Sequence, residues 1–139
     1  MKLLQAIETL ASELELFDDV LDKYEYIIEL GKTLEGLQAK YQTEIYLVQG
    51  CQSQVWLHPF TEDGLIYFEA DADALIVRGL IAMLLRIYSK RTAKEILESK
   101  SSDLEALGLN EIISAGRQNG IASMLKRIYG FAKEVEDAQ

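Results

Sequence analysis

The run Ala74 to Tyr88 constrains this chain more than any other stretch. It is 15 residues long and apolar on nearly every side, and its only charges are Arg78 and Arg86. A membrane span requires ~18 to 20 apolar residues, so the run predicts a buried helix and no transmembrane segment. Asp71 or Asp73 stands where an N-cap is wanted. The rest of the chain must cover this helix. At 139 residues there is material for about one ordinary core, and one domain over 1–139 is expected.

The covering elements are legible in outline. Leu3, Ile7, Leu10, Ala11 and Leu14 recur at three- and four-residue steps, the spacing of one helical face. Asp18 or Asp19 can cap a second helix whose stripe is Val20, Leu21, Tyr24, Ile27 and Ile28, with Gly31 at the position of a left-handed C-terminal residue. Between residues 45 and 70 the period changes. Ile45 to Val48, Gln54 to Leu57 and Leu65 to Phe68 are short β-branched and aromatic runs, with Pro59 and Glu62-Asp63-Gly64 marking a hairpin turn. They predict a small antiparallel sheet, with Trp56 packed in the core. Thr92 opens a short helix through Glu98, and Ser101 or Ser102 caps a brief turn ending near Gly108. Ile121, Met124, Leu125, Ile128, Ala132 and Val135 share one face of a long last helix that lies across the sheet or the core helix and frays after Glu134.

Charge narrows the function classes. The net charge is −9, which sets the chain against the phosphate field of nucleic acid or an anionic membrane. Six bases but only two acids fall between Arg78 and Lys100. Such a segment reads first as a helix face balancing acidic neighbours, and second as a docking patch. The opening Met1-Lys2-Leu3-Leu4 is broken by Gln5 and Glu8 before an export signal could form, which points to the cytoplasm.

The chemistry rests on one cysteine, Cys51, and one histidine, His58. A lone Cys excludes an intrachain disulfide, a dithiol cycle, and a structural zinc or iron–sulfur site made from this chain's cysteines alone. Gly50 before it permits a turn, and Gln52-Ser53-Gln54 precede an apolar strand, so the thiol is expected on a loop at a strand entrance. His58, beside Pro59, reads as a surface or turn residue and a poor candidate for the thiol's base. Met83 and Met124 read as core filler. Acidity is a weak lever on such a thiol. Lowering its pKa from ~8.5 to ~7 raises the thiolate fraction ~15-fold at pH 7, but falling nucleophilicity returns a factor of about 4 to 5. Placement and shielding of the sulfur matter more.

The octet Gly50-Cys51-Gln52-Ser53-Gln54-Val55-Trp56-Leu57 resembles the signature of the SufE family, sulfur acceptors of iron–sulfur cluster assembly that take a persulfide from a SufS-type cysteine desulfurase. Three further blocks follow in the family's order. Tyr24, Ile28, Leu30 and Gly31 form the first; Asp73-Ala74 with Ile76-Val77-Arg78-Gly79-Leu80 form the second. Ser114, Arg117, Asn119, Gly120, Ile121 and Met124 form the third. The likeness covers roughly residues 15 to 132. Departures are Tyr46 in place of the family's Asn, Leu34-Glu35 for Leu-Pro, Ala72 for Ser and Ala115 for Pro. An Asn at 46 could hydrogen-bond the backbone of the Cys loop, which Tyr46 cannot do with the same reach.

The resemblance implies an α+β fold, a small antiparallel three-stranded sheet packed against several helices, similar to IscU-type scaffolds. It implies that Cys51 accepts the outer sulfur of the desulfurase persulfide and that the sulfur goes on to an iron–sulfur scaffold. Arg117 is the implied charge stabiliser, and Gly50 and Asp73 the implied loop supports. No cofactor, no metal and no turnover with a small substrate alone are expected; pyridoxal phosphate belongs to the desulfurase. The alternatives are a regulatory interaction module in which Cys51 is dispensable, and a thiol peroxidase, disfavoured because no second Cys resolves a sulfenic acid.

Overall fold

The computed structural model describes residues 1–139. Helices α1 (Leu3–Glu15) and α2 (Val20–Gly31) precede a hairpin, β1 (Val55–Glu62) and β2 (Leu65–Ala72). Then come α3 (Leu75–Tyr88), α4 (Ala93–Glu98), two short 3-10 turns at Ser101–Leu107 and Leu109–Glu111, and the long α5 (Ala115–Asp137). The fold is α+β, with helices packed on a small sheet.

The apolar run is the core helix α3, covered by α1, α2 and β2. Ile76, Val77, Leu80, Ile81, Met83, Leu84, Ile87 and Tyr88 are all buried. Its cap differs from expectation. Ala74 is the N-cap with no side-chain bond, because Asp71 is paired with Arg78 and Asp73 is turned towards Gln54. Gly31 differs too. It ends α2 in helical conformation, and its value is size: a Cβ there would meet the Gly79 nitrogen at 2.8 Å, and one on Gly79 would overlap the Ile27 carbonyl. The two glycines let the axes of α2 and α3 approach more closely than side chains would allow.

Other caps follow the sequence. Asp19 accepts from Leu21 N at 2.8 Å, and Thr92 accepts from Glu95 N at 3.1 Å. The Ser101–Leu107 turn uses neither Ser101 nor Ser102 as its cap: Lys100 precedes it, and Gly108 ends it at φ +64°. In α2, Val20 and Leu21 lie outside the buried stripe, exposed beside Leu16. The last helix does not fray after Glu134; it runs to Asp137, where Lys133 pairs with the Asp137 carboxylate at 3.2 Å.

The sheet has two strands, where three were expected. Residues 45–48 make one bridge, Leu47 to Trp56, with Val48 N–H donating to Val55 O and Leu57 N–H to Tyr46 O, both at 2.8 Å. The main-chain groups of residues 55 and 57 thus face this edge, and so do those of residue 59. Residue 59 is Pro59, which has no donor, and residues 43–47 close into a turn instead, with Tyr46 N–H donating to Thr43 O at 3.1 Å and Leu47 N–H to Glu44 O at 3.3 Å, so Ile45 is left 77% exposed. Pro59 lies inside β1 opposite Phe68, and the reversal falls to Asp63 (φ +53°) and Gly64 (φ +80°), both in the left-handed region that tight hairpins favour. The pleat also corrects Trp56. Val55 and Leu57 are buried and Trp56, between them, faces the other way and is half-buried.

The basic segment is largely paired within the fold, although only Arg91 is buried. Arg78 pairs with Asp71 and Arg86 with Glu13, and buried Arg91 donates to Ile87 O at 2.8 Å and to Met1 O. On the surface, Lys94 approaches Glu98 at 3.9 Å. This supports the reading of charge balance within the fold. No helix is long and apolar enough to cross a membrane.

Candidate functional site

Residues 49–54 run from the bridged segment into β1 and lie along one face of α5. The contacts descend the helix in steps of three and four. Gln52 rests on Gly116, Cys51 on Gly120 and Gly50 on Ser123, while Ile45 and Leu47 meet Arg127. Small residues at 116, 120 and 123 let the loop lie close to the helix. Gly50 is required twice. Its φ is +88°, and a Cβ there would stand 2.7 Å from Ser123 Oγ.

Cys51 is half-buried in this seam. Its Sγ lies 3.8 Å from the Gly120 carbonyl oxygen, a weak S–H···O contact, against an apolar wall of Val55, Val77, Leu80 and Met124. Burial pushes the thiol pKa above its ordinary value. The carbonyl neighbour acts in the same direction, because it accepts from the neutral thiol and repels the thiolate. The space beside the sulfur is about 10 Å³, room for about one water molecule. No small-molecule substrate fits there while the loop is closed.

Arg117 lines the same space, and its Nη1 donates to Ser53 Oγ at 2.7 Å. The guanidinium therefore braces the loop beside Cys51, and burial is the force that sets the acidity of the resting thiol. At the outgoing limb, Asp73 Oδ1 accepts from Gln54 N–H at 3.2 Å and Asp73 N–H donates to Gln54 O at 3.2 Å. The loop is thus tied to the β2–α3 junction through Asp73. Helix α5 opens at the N-cap Ser114, whose Oγ accepts from Arg117 N at 3.3 Å. The sulfur sits beyond that end, beside Gly120.

His58 is elsewhere. It lies within β1, its Nδ1 3.0 Å from Glu69 Oε1 and its ring stacked 3.7 Å from Tyr41, in an aromatic row that continues to Phe60 and Tyr67. Met83 and Met124 are buried, as the sequence suggests. An open groove of about 580 Å³ lies between the Ser101–Leu107 turn and α5. It does not include Cys51. No group of three His, Cys, Asp or Glu side chains converges to hold a metal. Gly116, Ser123 and Arg127 were not singled out by sequence reasoning. The available signal was their spacing with Gly120, which puts all four on one helical face.

The family model described as the Fe-S metabolism associated domain, SufE, matches residues 8–132. The chain belongs to the SufE family. An uncharacterized SufE-like protein of Rhizobium etli is 41% identical over 133 residues, spanning 92% of this chain and 90% of that protein. The sulfur acceptor protein CsdE of Escherichia coli is 34% identical over 116 residues, 82% of this chain and 79% of CsdE. The chloroplastic and mitochondrial SufE-like protein 1 of Arabidopsis thaliana is 36% identical over 96% of this chain, which corresponds to 38% of the plant protein. In three dimensions this SufE-family chain is similar to the solution structure of a hypothetical protein from Thermus thermophilus. The TM-score is 0.77 at 19% identity, over 97% of this chain and 96% of the other, a likeness of fold.

Proposed function

We propose that this SufE-family chain is a sulfur acceptor and carrier. It takes the outer sulfur of a cysteine desulfurase persulfide onto Cys51, and so stimulates the desulfurase, then passes the sulfur on for iron–sulfur cluster assembly. The observation that carries the reading is the closed seam around the single thiol. Cys51 has no second thiol in the chain, no room beside it for a small substrate, and a loop fastened by few contacts. Such a thiol is suited to a partner that brings its own reactive sulfur and opens the loop by docking. The relative named as a sulfur acceptor, CsdE, supports the same role.

The step balances without an external oxidant. Cys51 loses its proton to solvent, and its thiolate attacks the terminal sulfur of the partner's Cys-S-SH. A new S–S bond forms at Cys51 as the partner's S–S bond breaks. The partner cysteine leaves as a thiolate, and the sulfane sulfur keeps its oxidation state. With the resting pKa raised, most of the thiol is protonated at neutral pH, so the closed seam protects it and opening exposes it to water where ionisation is easier. Arg117 and Asp73 hold the loop for this exchange. A SufS-type enzyme, an iron–sulfur scaffold as recipient, and a cytoplasmic setting complete the proposal.

The test is to incubate the chain with cysteine and a cognate desulfurase and weigh it intact. Wild type is expected to gain one sulfur atom and Cys51→Ser none, with stimulation of the desulfurase lost in the variant. Stimulation that survives Cys51→Ser would instead identify a regulatory module that acts by binding.

A further inference from the structure

The limb leading into the Cys51 loop is fastened by a residue outside the blocks that carry the family likeness. Arg127, two turns beyond Gly120 on α5, donates from Nη1 to the Leu47 carbonyl at 3.0 Å and from Nη2 to the Ile45 carbonyl at 3.2 Å. None of the chain's ion pairs includes it. The turn at residues 43–47 brings these two carbonyls within reach of one planar guanidinium fork, where a lysine ammonium would reach one. Between them stands Tyr46, whose ring turns the other way, edge-on to Tyr41 at 5.6 Å and to His58 at 5.1 Å. Tyr46 thus leaves its flanking backbone to another donor. Pro59 has no N–H to offer residue 44 and the turn at 43–47 uses its N–H groups internally, so before Tyr46 no ladder bond ties this limb to β1.

We propose that Arg127 is the positioning residue that anchors the incoming limb of the Cys51 loop to α5, supplying the backbone support that an Asn at position 46 would make and Tyr46 does not. The carrier reading gives this anchor its purpose, since the anchor sets how readily the thiol is released to a docked partner. Arg127 touches no reacting atom and acts through the loop.

Alkylation of Cys51 by iodoacetamide, measured on the purified chain alone, reads how often the loop opens. Arg127→Met keeps the aliphatic stem and removes both donors. It is expected to raise the alkylation rate about fivefold, the population shift that follows the loss of about one hydrogen bond's net contribution, with little change in Tm. Arg127→Lys should fall between. Tyr46→Asn is expected to slow alkylation more in the Arg127→Met background than in wild type, a coupling read from the double-mutant cycle. A wild-type rate in Arg127→Met, or no coupling in the cycle, overturns the proposal. Sulfur loading run in parallel keeps the two readings apart. If wild type loads no sulfur, the carrier reading fails and the alkylation series still decides Arg127. If wild type loads and the series is flat, Arg127 alone loses its role.

Discussion

Two seams in this molecule depend on small residues, and they are built to opposite ends. Where α2 crosses α3, Gly31 and Gly79 bring backbone against backbone beneath Ile27, which is fully buried. Where the Cys51 loop crosses α5, Gly50, Gly116 and Gly120 bring backbone against side chains, and the fasteners are separate polar links from Arg117, Asp73 and Arg127. The first seam is closed by apolar burial that is lost only with the fold. The second is held by hydrogen bonds to groups that water can also satisfy, each contributing about 1 kcal/mol net. Opening the second therefore leaves the first intact, as a carrier with a shielded thiol requires.

The largest effect expected is at the buried seam. Gly79→Ala drives a Cβ into the Ile27 carbonyl and should cost about 3 kcal/mol or more, read as a lower urea midpoint. Gly50→Ala should cost about 1 to 2 kcal/mol globally because of its positive φ, yet it should accelerate Cys51 alkylation more than Gly79→Ala does. An unchanged alkylation rate there would erase the distinction between the seams. Asp73→Ala removes the acceptor for Gln54 N–H and should lower stability by about 1 kcal/mol while raising alkylation.

Two pH effects sharpen the contrast further. The native alkylation rate should rise with pH through a midpoint above that of a free thiol, returning to the free-thiol midpoint in urea. A raised folded pKa means that the closed state's advantage is complete below the free-thiol pKa and is lost as pH climbs through the native value. Glu13 behaves oppositely. Its hydrogen bond from Arg86 holds its pKa below 4.5, so that contribution is present at neutral pH and lost as pH falls below 4.5 towards the native value. Glu13→Gln should flatten this part of the acid limb of a stability profile and leave Cys51 alkylation unchanged.

The helices were legible because burial repeats at their own period: Leu3, Ile7, Leu10 and Leu14 are among the buried positions of α1. The third strand was misread for a local reason. Its composition suits a strand, but residues 43–47 close into a turn, and the partner row beyond is interrupted at Pro59, whose effect depends on which edge its missing N–H faces. Trp56 was misplaced by size, since its bulk suggests the core while the pleat that buries Val55 and Leu57 turns it outward. Asp73 was legible as important at the start of α3, though its carboxylate went to the loop and left the cap unfilled. Arg127 was hidden because two backbone carbonyls carry no signature in a sequence. Only the fold shows which helix passes beneath them.

The outward turn of Trp56 gives the chain its own optical probe. It is the sole tryptophan, bridged to Leu47 on the limb that Arg127 holds, and five residues from the sulfur. Its emission will register any rearrangement of that limb, so the loop release proposed for partner docking would be observable in the unlabelled protein, at the speed of a stopped-flow mixer and without a reagent on the cysteine.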